Sequence, residues 1–294
     1  MIVKDGRYIV RILLCLLILL LLPGHFLFCQ TDTLAKQKPV IKENKNGFGN
    51  ERFSLGLGFF YSADNAGITL GSKQAGLGIV YDLEDALGLN TSSFVFCGDA
   101  SLKFGKRHRS TVVLNYFGIN RRANKTLEAD LELGDITYPL GTKLDSKFYL
   151  SIIRAKYEYT FLQDDRVSLG FSAGLYVVPL SLSVKSGSSE EQSTAFVAPL
   201  PVFGLRSDFL ITKKLELKES AELLYLKIDN FSGSILDLRL AVEYRAFEHF
   251  GFGVGINSNR LSVAAKGEDY PGIDFFGTVK MDYTGAFLSV NLYL

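Results

Sequence analysis

From Arg52 to Leu294 the chain runs in short stretches where apolar and polar residues alternate. In Ser234–Phe247, SILDLRLAVEYRAF, one parity holds Leu236, Leu238, Leu240, Val242 and Tyr244. The other holds Asp237, Arg239, Glu243 and Arg245. Successive side chains of a strand point to opposite faces, so one face here is oily and the other charged. Phe94–Phe104 repeats the pattern, with Phe94, Phe96, Gly98, Ala100, Leu102 and Phe104 opposite Cys97, Asp99, Ser101 and Lys103. Phe148–Phe161 sets Tyr149, Ile153, Ala155, Tyr157, Tyr159 and Phe161 against Arg154, Lys156 and Glu158. Leu215–Tyr225 sets Leu215, Leu217, Ala221, Leu223 and Tyr225 against Glu216, Lys218, Ser220 and Glu222. A helical stripe through Leu217, Ala221, Leu224 and Ile228 is open there too, because KESAELL is a good helix former. Strand patterns on both sides favour a strand.

Twelve strands are predicted, at about 53–62, 66–73, 76–83, 94–104, 109–120, 147–160, 167–182, 195–211, 215–228, 234–247, 250–265 and 275–294. The number must be even if both ends lie on one side, and ten is the alternative if two of the first three segments do not cross. Short connections at Lys106–His108, Leu162–Arg166, Thr212–Lys214 and Phe247–His249 alternate with longer ones at Arg121–Lys147, Lys185–Ser193, Asn230–Gly233 and Lys266–Asp274. Tight turns at one rim and long loops at the other describe a transmembrane antiparallel β-barrel, with short turns in the periplasm. Its oily strand faces meet lipid and its charged faces line the lumen. An exported β-sandwich is the soluble rival; the alternating loops, the lack of a disulfide framework and the apolar last strand Tyr283–Leu294 disfavour it.

Composition adds export. Lys4, Arg7 and Arg11 precede an apolar run, Ile12–Leu22, which Pro23 and Gly24 break. This reads as a secretory signal peptide over residues 1–29, too short in its apolar part for a spanning helix. Residues 30–51, polar and rich in Lys and Asn, read as a flexible periplasmic lead-in, and 52–294 as the outer-membrane barrel. Signal removal would take Cys15 and Cys29 and leave Cys97 alone, so no intramolecular disulfide framework is expected. The whole chain carries a formal charge of +1, which gives no support to nucleic-acid binding. The 28 Gly, 23 Phe and 14 Tyr against 7 Pro suit many strands joined by turns.

Several phrases resemble an uncharacterised family of outer-membrane β-barrel proteins of Gram-negative bacteria. They include DLEDALGLNTSS (Asp82–Ser93), FGKRHRSTVVLNYF (Phe104–Phe117), LELGDITYPLGTKLDSKF (Leu131–Phe148) and YTFLQDDRVSLGFSAGLYV (Tyr159–Val177). APLPVFGLR (Ala198–Arg206), GSILDLRLAVEYR (Gly233–Arg245) and HFGFGVGIN (His249–Asn257) fit as well. The resemblance implies the fold and the bacterial outer membrane; it implies no reaction or ligand.

The parity assigns fourteen charges to the lumen: Asp99, Lys103, Arg154, Lys156, Glu158, Arg206, Asp208, Glu216, Lys218, Glu222, Asp237, Arg239, Glu243 and Arg245. Seven are acidic and seven basic. The expectation is a narrow porin-like channel or small-solute transporter whose charges set selectivity. The alternative is a non-conducting structural or adhesive barrel, filled by paired charges and acting through external loops. A lipid-modifying hydrolase ranks third. A Ser nucleophile or water needs a base, and after signal removal only His108 and His249 remain, both in short turns. The chain is therefore read as no enzyme, with no catalytic, cofactor-binding or metal residues. The acidic run Glu128, Asp130, Glu132 and Asp135 lacks calcium-loop spacing. Gly251, Gly253 and Gly255 precede no helix, which excludes a dinucleotide fingerprint. The expected partners are outer-membrane lipid, the barrel-assembly machinery during biogenesis and a small polar solute.

Overall fold

A computed structural model describes residues 51–70, 80–133, 136–187, 192–229, 231–266 and 276–294. The signal peptide, the lead-in up to residue 50, Cys15 and Cys29 lie outside the described residues. In chain order the elements are β1 (Phe53–Leu70), β2 (Val80–Asp82), α1 (Leu83–Leu87), β3 (Ser92–Phe104) and β4 (Ser110–Thr126). There follow β5 (Leu131–Leu133), β6 (Ile136–Tyr138), β7 (Lys143–Gln163), β8 (Val167–Ser186) and β9 (Gln192–Thr212). The last are β10 (Leu215–Ile228), β11 (Phe231–Tyr244), β12 (Phe250–Lys266) and β13 (Phe276–Tyr293).

The sheet runs β13-β12-β11-β10-β9-β8-β7-β4-β3-β1, every pair antiparallel, and β1 pairs with β13 to close it. Closure leaves the ring without a free edge strand, as a sheet in lipid requires. The barrel has ten strands, not twelve. The segment expected at 53–62 and the described part of that expected at 66–73 form one strand, β1, which pairs with β13 without interruption from Ser54 to Leu70; residues 71–73 lie outside the described residues. Part of the segment expected at 76–83 lies outside the described residues, and the rest is β2, three residues against Gly67–Thr69. The Ser-Ala-Asp-Asn-Ala-Gly run at 62–67 reads as a turn, but continuous pairing with Gly285–Lys280 of β13 holds it extended. Long-range pairing overrides local propensity here. The helical alternative at Leu215–Ile228 is settled in favour of strand β10.

Apart from register shifts at Thr160/Leu162 of β7 and Leu215/Glu216 of β10, both next to the short turns, parity holds along the strands, yet the chemistry of the two faces exchanges at mid-height. In the half next to the short turns the outward face is mostly apolar. On β7 it holds Ile153, Ala155, Tyr157, Tyr159 and Phe161, and on β12 Phe250, Phe252, Val254 and Ile256. Ile153 to Phe161 is nine residues, which meets the roughly 9–11 that a tilted strand needs to cross a bilayer. In the half next to the long loops the outward faces turn polar: Asp145 and Lys147 on β7, Ser258, Arg260 and Ser262 on β12, and Lys280 and Asp282 on β13. Their inward partners are apolar and buried, among them Phe148, Leu150, Val178, Leu180, Leu200, Leu261, Val263 and Met281. The loop half is thus built like a soluble barrel around an apolar core, and only the turn half has the inverted polarity of a lipid-facing one.

Helix α1 lies in that core. Asp82 caps it by accepting from the backbone N–H of Glu84 and Asp85, and Gly88 ends it at φ 70, a left-handed conformation that costs glycine little. Leu83, Leu87 and Leu89 are buried with the strand residues. Glu84 accepts from the backbone N–H of Ala66 at 3.1 Å and pairs with Arg121 of β4. Burial pushes the Glu84 carboxyl above its ordinary value, with Arg121 acting against the shift.

Candidate functional site

The interior of the turn half holds the chemistry. All fourteen charges named from the sequence take part in ion contacts, and several of these contacts join strands that are not neighbours. Arg154 of β7 reaches Asp237 of β11 at 2.7 Å. Asp237 also accepts from Nδ2 of Asn257 at 2.6 Å and of Asn259 at 2.9 Å. Arg154 donates to the Tyr283 hydroxyl at 2.9 Å and stands over the Tyr176 ring. Lys156 pairs with Glu222, which also accepts from the Tyr176 hydroxyl, and lies 3.6 Å from Glu158. Arg206 bridges Glu158 at 3.1 Å and Asp208 at 3.5 Å, and Lys218 bridges Glu243 at 2.7 Å and Glu216 at 3.6 Å. The Arg239–Asp99 contact is looser, at 3.8 Å, and Arg239 also stacks on Phe287. Nearest the turns, Glu51 accepts from Lys103 and Arg245, each at 3.0 Å.

Burying an ion without a partner is very costly, so a crowded interior needs such alternation of sign. Two hollows in this half measure about 70 Å³, beside Arg206 and Asp208 at the turn rim, and about 40 Å³, between Asp99, Arg154 and Arg239. Each has room for a few waters. Between them and the long-loop rim stands the apolar core.

The partners that sequence reasoning missed are mostly uncharged: Tyr176, Tyr283, Tyr293, Asn257 and Asn259. Inward parity was their only signal, and the tyrosines read equally well as lipid-facing aromatics. The inward glycines of β12 serve the same network. A Cβ on Gly255 would lie 2.5 Å from the Phe287 ring, so the glycine leaves space for the ring that carries Arg239. Another miss is Glu219, which shares the outward parity of Leu217 and Leu223. It is only 4% exposed and accepts from the Ser207 hydroxyl at 2.9 Å, with its other oxygen unpaired. His108 and His249 sit in short turns, and the His249 Nδ1 lies 3.0 Å from the Tyr293 carbonyl oxygen.

Glu51 supplies a pH test at the turn rim. Burial alone would raise its carboxyl, but Lys103 and Arg245 hold it down at about 2 from 4.5. A depressed folded pKa contributes stability above the unfolded value, and that contribution is lost as pH falls from about 4.5 to about 2. Glu51→Gln should therefore cost up to about 3 kcal/mol at pH 7 and nothing at pH 2. Urea midpoints of the two refolded proteins across that range check it; a pH-independent difference would remove the ion pairs as its cause.

Closed topology, an apolar outer belt and a polar interior beneath it come together in few known architectures. Comparison with solved structures finds the outer-membrane protease OmpT of Escherichia coli, at 9% identity and TM-score 0.51, matched over 90% of this chain and 100% of that one. The chain has the fold of an outer-membrane β-barrel. The transport unit of the autotransporter AIDA-I of Escherichia coli is also similar, at 9% identity and TM-score 0.41, over 90% of this chain and 93% of that one. So is Ail, the attachment invasion locus protein of Yersinia pestis, at 11% identity and TM-score 0.33, over 82% of this chain and 99% of that one. No protein-family model and no curated protein matches the sequence. At these identities the likeness is one of fold alone. A barrel fold does not by itself carry a reaction.

Proposed function

We propose that the protein is an outer-membrane barrel that does not conduct and that acts from the cell surface. Its turn half is the membrane anchor, and its loop half is a platform raised above the lipid. One observation carries the reading: the apolar core of Phe148, Leu150, Leu200, Leu261 and α1 stands across the barrel between the charged zone and the long-loop rim. A porin-like channel needs a continuous polar path, and the mixed charges that suggested one satisfy each other instead. The platform has a raised hairpin of its own, β5–β6, between strands that reach past the belt. We infer no enzymatic role, since both histidines lie at the rim away from this platform.

Planar-bilayer recording of the refolded, heat-modifiable protein tests the proposal. The expected result is no discrete conductance step, in the wild type and in Arg239→Glu alike. Steps whose ion preference shifts with Arg239→Glu would overturn it in favour of a water-filled lumen.

A further inference from the structure

Each barrel strand has two neighbours, but not along its whole length. β9 pairs with β10 only as far as Phe203–Leu223, although β9 begins at Gln192 and β10 runs on to Ile228. Above that level β9 pairs with β8 alone, without a break up to Gln192 opposite Val184. Two prolines account for the stop. In an antiparallel ladder a residue turns its N–H and C=O to one neighbour, and alternate residues turn to opposite neighbours. The ladder with β8 stays whole, so the nitrogens of Pro199 and Pro201, which carry no hydrogen, lie on the β10 side.

Higher up, the same parity restores the donors. Ser193, Ala195 and Val197 are exposed and turn N–H and C=O groups to that side, and among the described residues no strand pairs with them there. Val197 lies six residues beyond Phe203, about 15 Å higher at the usual rise and tilt. On the platform reading that edge stands in water. The opposite edge of the raised sheet is covered. β4 outruns its ladder with β3, which ends at Cys97–Phe117, and there Arg121 donates to the Asn90 carbonyl at 3.0 Å and Lys125 to that of Asp85. The β9 edge at 192–197, QSTAFV, has neither the charge nor the proline that commonly blunts an exposed edge, and Thr, Phe and Val favour a strand.

We propose that this free edge of β9 binds an extended, uncharged peptide segment of a partner protein by strand addition. The guest backbone supplies the alternating donors and acceptors that the edge lacks, down to Pro199, where the absent N–H ends the ladder. A second copy of this chain does not fit. Barrels in one membrane stand the same way up, so two β9 edges would meet in parallel across a two-fold axis, with N–H facing N–H. The site rests on the platform reading above and deepens it, by naming the kind of partner that the platform takes.

The probe is a synthetic peptide with the edge's own sequence, QSTAFVA, which is free to pair antiparallel with it; a fully N-methylated copy is the control. The full chain, carrying Cys97→Ser and Ser193→Cys, is refolded in lipid nanodiscs, which leave both faces open. Labelling of the introduced thiol by a membrane-impermeant maleimide is then timed. The peptide should slow labelling at least tenfold, and the N-methylated copy should leave the rate unchanged. Ala195→Pro removes an edge N–H on the parity of Pro199 and Pro201, so the ladder with β8 stays intact and the protection should vanish. Val197→Lys blunts the same edge by charge and should weaken the protection severalfold. Equal protection in Ala195→Pro, equal protection by the N-methylated copy, or fast labelling that the peptide does not slow would overturn the site with the platform reading intact. A thiol at position 193 that the maleimide never reaches would overturn both.

Discussion

Arg154→Leu should destabilise the barrel by about 3–5 kcal/mol, among the largest losses from any single substitution in the turn half. Arg154 is buried, bonded to Asp237 and Tyr283, and flanked by the Tyr176 ring. Its removal leaves the Asp237 carboxylate with two amide donors, from Asn257 and Asn259, and no countercharge. If the interior is dry, that carboxylate bears a desolvation cost that hydrogen bonds from neutral groups do not offset. Adding Asp237→Asn removes the charge at nearly constant shape, and the double variant should recover more than half of the loss. In a water-filled lumen the same Arg154→Leu change would cost about 1 kcal/mol or less, as for an exposed ion pair. Urea midpoints of the refolded single and double variants decide between these. A small single-variant loss without recovery would mean that solvent reaches the pair.

Alternation made much of this fold legible from the residues. A period of two held over most of each strand, and the strands that the structure contains are mostly those the pattern gives. The strand count failed at two places: the segment expected at 76–83 gives, within the described residues, only the short β2, and a run of Ser, Asp, Asn and Gly at 62–67 has the composition of a turn. Only its register against β13, more than two hundred residues away, shows otherwise. The interior charges followed from parity; which charge meets which did not, since Arg154–Asp237 and Lys156–Glu222 join strands that are not adjacent. The exchange of polarity at mid-height was present in the sequence as well. In Lys143–Gln163 the charged set moves from outward Lys143, Asp145 and Lys147 to inward Arg154, Lys156 and Glu158. Segments taken one at a time conceal it, because each half alternates well by itself. The charges of the turn half were read as a lumen, and the apolar parity beyond them was not read as the core of a second zone.

That exchange yields a comparison within a single strand. On β12, Val254 and Ala264 share the outward face, but Val254 lies in the belt and Ala264 in the loop half. Val254→Lys should cost about 2–4 kcal/mol, the range for a cation on the lipid face near the midplane of such a barrel. Ala264→Lys should stay within about 0.5 kcal/mol, as for an exposed position in water. The inward Leu261 is fully buried between those heights, and Leu261→Ala should cost about 2–5 kcal/mol through a cavity in the apolar core. Folding free energies in vesicles measure all three. If lipid covered the whole strand, Ala264→Lys would be costly too, and if water filled the whole barrel, Leu261→Ala would be cheap. A large loss at Val254 and Leu261 with none at Ala264 fits only a barrel that ends its lipid belt at mid-height and carries its own core above it. That geometry also explains how a closed barrel can be anchored and plugged at once. The charged half can remain polar inside because nothing has to pass it, and the apolar half can present polar strands and loops because water surrounds it.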